Sequence, residues 1–355
     1  MTFSLLSPPP EYETLVGLLE RYSPTGQEST AVHWLVERMH KLGYSEAWID
    51  DAGNAIGVMG KGRQQGILLG HIDTVPGEIP LRLEEDALYG RGAVDAKGSL
   101  ATLVDGVAQV GPVDGWQWVI IGAVDEEGDS RGARAIVDRY RPAFVIVGEP
   151  SGWDRVTLGY KGSVWSTITI RRPLTHSAAP QASACEAAAD CWRSVQALAS
   201  GFNRDRRRAF DQVTPSLRRW SSGDDGFQAW ARLHVATRLP PGLTADDWLA
   251  RLHSLDPEVE VEADGIAIPA YRAEKNSPLT RAFLAAIRAL GGRPSFALKT
   301  GTADLNIVAP AWSCPAVAYG PGDSSLDHTP QEHILLPEYT RARDVLAGVL
   351  RRFGR

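Results

Sequence analysis

Apolar residues recur at helical spacing over residues 11–22 and 29–42, which predicts two amphipathic helices, with Ser and Thr near the second start as candidate caps. Short, almost wholly apolar runs follow at 55–59, 66–69, 116–124 and 143–147, separated by helical patterns at 98–110 and 132–140. Strands buried on both faces read as continuous apolar runs, so this alternation predicts an α/β layer built on a largely parallel sheet. Beyond Pro150 the period changes. Residues 163–171, 229–239 and 259–268 alternate apolar with polar, and 185–198 has helical spacing, which predicts antiparallel strands with two helices. From Asn276 the first pattern returns, with a helix at 278–290, a strand near 316–319 and a closing helix at 338–353. The middle block therefore reads as an insertion into a discontinuous larger domain.

Composition narrows the class. The chain has 355 residues, 43% hydrophobic and 23% charged, ordinary for a soluble globular protein of about two domains. Its net charge of −6 gives no field that favours nucleic acid. No apolar run approaches the ~20 residues of a membrane helix, and the opening MTFSLLSPPPEYETL lacks the basic region of a signal peptide. Cys185, Cys191 and Cys314 are too few for a disulfide framework or a four-thiolate zinc site, so a reducing cytoplasm is expected. Cys185 and Cys191 read as packing residues, and Trp116 and Trp118 as core or surface anchors.

The chemistry lies where apolar runs end. Leu68-Leu69-Gly70-His71-Ile72-Asp73 delivers an imidazole with a carboxylate two residues on. Asp95 precedes a helical stretch, where a plain helix cap is the simple alternative. A dinucleotide loop at Gly90-Arg91-Gly92 fails, because its third glycine would fall on Asp95 and repel a pyrophosphate. Asp125-Glu126-Glu127 follows a buried run, and three adjacent carboxylates there repel one another unless a cation is near. Val147-Gly148-Glu149 adds one carboxylate, and Asp327-His328-Thr329-Pro330 with Glu332, after a glycine-rich loop, adds a second imidazole. His71, Asp95, Glu127, Glu149 and His328 form the mixed nitrogen and oxygen set that suits zinc, cobalt or manganese. If Asp95 bridges, two ions about 3.5–4 Å apart can share the site, leaving Glu126 as a general base for hydrolysis.

At these residues the sequence resembles the M20 metallopeptidase and deacylase family, through GHIDTVPG at 70–77, GRGAVDAKG at 90–98, DEEGDSRGA at 125–133, GEPS at 148–151, THSAAP at 175–180 and DHTPQE at 327–332. The resemblance implies a catalytic domain over 1–158 and 269–355 interrupted by a lid and dimerisation domain over 159–268. It implies two divalent ions, Zn2+ or Co2+, with His71 and Glu149 on one, Glu127 and His328 on the other and Asp95 between them. Asp73 would orient His71, Glu126 would be the base, and His176 would stabilise the oxyanion in a partner subunit, which implies a homodimer. Lys161 and Arg238 match lid positions that hold substrate carboxylates in relatives. Lys299, Thr300, Gly301 and Thr302 form a polar segment that could bind an α-carboxylate, or a plain loop.

Within the family, GHIDTVPGEIP with KTGTADLN at 299–306 looks most like the members that release lysine or ornithine from an acidic amino-group carrier protein. Acetylornithine deacetylase is the nearest small-molecule rival. The basic run at Arg204, Arg206, Arg207 and Arg208, with Arg218 and Arg219, reads as a solvated face or a docking surface for that carrier. Two other classes compete. Gly128-Asp129-Ser130-Arg131-Gly132 matches a serine-nucleophile motif, but Glu126, Glu127 and Asp129 crowd it. A carrier-binding scaffold without turnover would need neither Glu126 nor His176.

Overall fold

The computed structural model describes residues 8–178, 180–256 and 258–354. The first seven residues of the opening segment lie outside them. The chain divides into two compact units, one of Met1–Gly159, Ala273–Leu298 and Ala303–Arg355, the other of Tyr160–Arg272 with Lys299–Thr302.

The first unit is a mixed α/β layer around the strand Gln64–His71. It runs parallel to Trp116–Ala123 on one side and to Phe144–Gly148 on the other, and Ala316–Ala318 extends the parallel set beyond Phe144–Gly148. Ala55–Met59 and Glu46–Ile49 join antiparallel at the other side. Ile67, Leu68, Leu69, Ile120, Ile121 and Ile146, which point to both faces of these strands, are fully buried. The helix Lys97–Val110 packs against the central strands and against the closing helix Leu336–Phe353. Glycine lets this helix seat closely on the sheet: a Cβ on Gly70 would sit 3.2 Å from Leu100 Cβ, and one on Gly148 would sit 2.9 Å from Leu103 Cδ1, so either would push a leucine aside. The close seating fixes where the loop before the helix can lie.

The second unit is a four-stranded antiparallel sheet in the order Thr214–Asp224, Gln228–Leu239, Gly162–Pro173, Val259–Ile268. The helices Ala184–Asn203 and Ala245–His253 pack on it through a separate core that includes Ile168, Val195, Leu233 and Trp248. Both helices open with a capping box, Ser183 with Glu186 and Thr244 with Asp247.

Several local expectations need correction. The residue capping Ser29–Lys41 is Glu28, with no side-chain hydrogen bond, so the nearby Ser and Thr do not cap it. The helix anticipated over 132–140 spans only Arg131–Ile136. Cys185 is exposed rather than packed, whereas Trp116 and Trp118 are buried and stacked, their ring centroids 5.0 Å apart. Thr214–Asp224 has no counterpart in the sequence pattern, because this edge strand is mostly exposed and its arginines obscure any apolar alternation. Among the described residues, no helix is long and apolar enough to cross a membrane.

One polar group lies deep in the first core. Asp105 is buried on the Lys97–Val110 helix and accepts hydrogen bonds from Thr14 and, at 2.5 Å, from Tyr339. Burial raises its carboxyl from 3.8 to about 6, although both hydrogen bonds favour the ionised form. The folded state therefore holds this proton more tightly than the unfolded chain. Its stabilising contribution is complete below the unfolded value and declines as pH rises toward 6. Asp105→Asn cannot titrate, so its unfolding free energy relative to the parent should rise on the order of 2 kcal/mol between pH 4 and pH 6. Urea titrations of both proteins across that range check this, and a constant difference would contradict it.

Candidate metal centre

Three adjacent parallel strands deliver the first groups. His71 is the last residue of its strand, Glu149 follows Gly148, and Asp125, Glu126 and Glu127 follow the strand that ends at Ala123. Side chains at the carboxyl ends of parallel strands share one edge of the sheet, the usual place for ligands in open α/β folds. Asp95 comes from the loop before Lys97–Val110, and its backbone precedes a cis peptide to Ala96. His328 comes from the loop after Ser324–Leu326.

These groups converge on Asp95. His71 Nε2 lies 3.2 Å from Asp95 Oδ1, while His328 Nε2 lies 3.0 Å from Asp95 Oδ2 and 3.0 Å from Glu127 Oε1. His71, Asp95 and Glu149 offer ligand atoms all within 4.8 Å of one another, and so do Asp95, Glu127 and His328. The two triads share only Asp95, and each has one imidazole and one carboxylate of its own. The cap alternative for Asp95 does not describe this position, because the residue at the N-cap is Ala96 and the Asp95 side chain faces two histidines.

Asp73 does more than orient one ring. The His71 Nδ1–H donates to the Asp73 backbone carbonyl at 2.9 Å, leaving Nε2 to face Asp95. The buried Asp73 carboxylate accepts from the backbone N–H groups of Glu126 at 3.0 Å and Glu127 at 3.1 Å, and from Thr25 at 2.9 Å. It thereby holds the turn that presents both glutamates. Asp125 and His328 adopt left-handed backbone conformations, φ 67° and 63°, which are uncommon for residues with a side chain and gather at functional sites.

The electrostatics match a site built for cations. Burial pushes Glu126 well above the ordinary carboxylate range, and the charges of Glu149, Asp304 and Glu127 add to it against the opposing His71. Burial also raises Asp304 to about 7. His328 rises to about 10, chiefly through its contacts with Asp95 and Glu127. For His71, burial opposes the charged ring, but Asp73 and Asp95 outweigh it and raise the pKa. Carboxylates this crowded bind either protons or a divalent ion.

The remaining sequence-derived candidates lie in the second unit. Lys161 is buried, with its Nζ donating to Thr214 Oγ1 at 3.0 Å and to the Ala209 carbonyl at 3.3 Å; burial and then Arg238 lower its pKa to about 8. Arg238 donates to Thr302 Oγ1 at 3.1 Å, and the Lys161 N–H donates to the Lys299 carbonyl at 3.2 Å. Lys161, Arg238 and the segment Lys299, Thr300, Gly301, Thr302 thus form one cationic, polar cluster. His176 is exposed, its Nδ1 accepting from the Ala178 N–H at 3.2 Å. Ser130 is buried and His328 Nε2 is engaged by two carboxylates, so no serine–histidine pair forms at the nucleophile-like motif.

The roles of four contributors escaped the sequence reading. Asn54 is fully buried and clamps Val124 N–H and the Gly132 carbonyl around the glutamate turn. Asp304 sits in the KTGTADLN motif, and Arg91 and Glu332 sit within GRGAVDAKG and DHTPQE, but no local pattern marks them. Arg91 and Glu332 meet across 241 positions of chain.

The description of peptidase family M20/M25/M40 matches residues 67–352. The chain is 41% identical over 347 residues to the LysW-lysine hydrolase of Deinococcus radiodurans, covering 93% of each chain. It is 41% identical over 334 residues to a Pyrococcus abyssi protein provisionally named LysW-lysine/LysW-ornithine hydrolase, covering 94% of this chain and 91% of that one. Among solved structures, the M20 family metallo-carboxypeptidase Sso-CP2 from Sulfolobus solfataricus shares the fold, with a TM-score of 0.77, 18% identity, and coverage of 98% of this chain and 100% of that one. The matched span and the relatives at 41% identity establish that this chain belongs to peptidase family M20/M25/M40.

Proposed function

We propose that this chain is a metal-dependent amidohydrolase that releases lysine, and ornithine, from an acidic amino-group carrier protein of the LysW kind. The observation that carries the reaction class is Asp95, each of whose oxygens faces its own histidine, flanked by its own carboxylate. The names of the relatives at 41% identity support the substrate. Net charge −6 gives no field that favours nucleic acid.

The donor set fits two divalent ions: imidazole nitrogen and carboxylate oxygen suit Zn2+ or Co2+. His71 and Glu149 would hold one ion, Glu127 and His328 the other, with Asp95 between them. When bound, such a pair supplies Lewis acidity that polarises an amide carbonyl and makes water acidic enough to lose a proton near neutral pH. Glu126 would take a proton from the water that adds to the amide carbon and return it to the departing amine as the C–N bond breaks. Asp73 keeps Glu126 aimed by holding its backbone N–H. His176, contributed across a homodimer, donates to the oxygen that gains charge as the carbonyl becomes tetrahedral. Lys161, Arg238 and the 299–302 segment attract the carboxylate of the amino acid.

Chelation should abolish release of lysine from its carrier, and zinc or cobalt should restore it, whereas Ser130→Ala should remain active; a chelator-resistant enzyme would refute the metal mechanism. Offered carrier-linked lysine, carrier-linked ornithine and acetylornithine side by side, the enzyme should release free amino acid fastest from the carrier-linked forms. Faster acetylornithine cleavage would overturn the substrate assignment alone.

Glu126→Gln should lower kcat by about two to four orders of magnitude, the range for loss of a general acid–base group, with metal stoichiometry by calorimetry unchanged. His176→Ala should cost about 100- to 1,000-fold in kcat, as loss of an oxyanion donor does, again with metal binding intact. Parallel loss of metal in either variant would reassign that residue.

A further inference from the structure

Glu332 is fully buried although it carries a charge, and it stands four residues after His328. One of its oxygens, Oε1, accepts from the backbone N–H groups of Val94 at 2.9 Å and Asp95 at 3.0 Å. The other, Oε2, accepts from Arg91 Nη1 at 2.8 Å. Arg91 is itself buried and donates through Nε to the Gly77 carbonyl at 2.8 Å, and more distantly to the Thr329 carbonyl at 3.4 Å. The backbone on both sides is paired too. His333–Leu335 runs antiparallel to Ala87–Tyr89, and the Gly90 N–H donates to the Glu332 carbonyl at 3.3 Å. One carboxylate thus ties the loop that carries His328 to the loop that carries Asp95, and through Arg91 to the turn after His71 and Asp73.

We infer that Glu332, clamped by Arg91, is a positioning residue that sets the placement of the shared Asp95 carboxylate against His71 and His328. A buried charge removed from water needs compensation by hydrogen bonds and an opposite charge, and here the compensating groups are the backbone of the shared ligand itself and one arginine. A displacement of Val94–Asp95 would change both triads at once, since Asp95 is common to them. The inference rests on the proposed metal chemistry.

Cobalt binding tests it. The parent, Glu332→Gln and Arg91→Lys are titrated with cobalt by calorimetry and by visible absorption, and their thermal unfolding is followed with and without metal. Gln keeps an acceptor for the two N–H groups but loses the charge that Arg91 requires, and Lys keeps the charge but loses the fork. The expected result is a folded protein with cobalt binding weakened about 10- to 100-fold, the usual effect of losing a group that orients a metal ligand. Its absorption spectrum should be altered, and its lost turnover should return as cobalt is raised. Parent-like affinity and spectrum in both variants would overturn the inference, and so would failure of both to fold at saturating cobalt, which would assign the pair to core stability. A parent that binds no divalent ion would instead defeat the proposed function.

Discussion

One carboxylate serves two imidazoles, and the rest of the site is organised around that fact. Asp95 has two oxygens, and His71 and His328 approach different ones at 3.2 and 3.0 Å. Such sharing demands that three loops distant in sequence arrive with errors well below the length of a bond contact, because a shift that improves one side spoils the other. The protein meets the demand with backbone anchors: Asp73 holds the N–H groups of Glu126 and Glu127, and Glu332 those of Val94 and Asp95. Buried carboxylates are used here as fasteners for peptide groups, which leaves the functional side chains free to face one another.

The parallel sheet makes this arrangement possible. Strands that point the same way present their carboxyl ends together, so His71, Glu149 and the Glu126–Glu127 turn share one edge. Glycines at 70 and 148 allow the Lys97–Val110 helix to lie close to the strands, which brings the preceding loop, with Asp95, to the same edge. Burying these carboxylates is costly in isolation, as the upward displacement of Glu126 and Asp304 records, chiefly through burial and secondarily through neighbouring carboxylates. Divalent ions offset that cost, so folding of the edge and affinity for metal are expressions of the same electrostatic imbalance.

The second unit follows different physics. Its sheet is antiparallel with helices on one face, so its strands alternate, and its cationic cluster of Lys161 and Arg238 is held by the neighbouring carbonyl and hydroxyl groups. Burial, and then the neighbouring Arg238 charge, lower Lys161 to about 8.

Much was legible without coordinates. Continuous apolar runs marked the buried parallel strands and strict alternation marked the antiparallel ones, because side-chain period follows directly from backbone geometry. Acidic and histidine residues at the ends of those runs marked the metal-capable groups, since unpaired charge next to a buried strand is too costly to be incidental. The edge strand Thr214–Asp224 was not legible, because a mostly exposed strand imposes little pattern on its residues. Nor were the roles of Asn54, Arg91 and Glu332, or the second duty of Asp73. Sequence by itself determined the class of fold, the metal-capable residue types and the family, all of which depend on residue type and local order. Only the tertiary structure decided which oxygen faces which ring and which buried charges hold the loops in place, because hydrogen bonds between segments 241 positions apart leave no periodic trace along the chain.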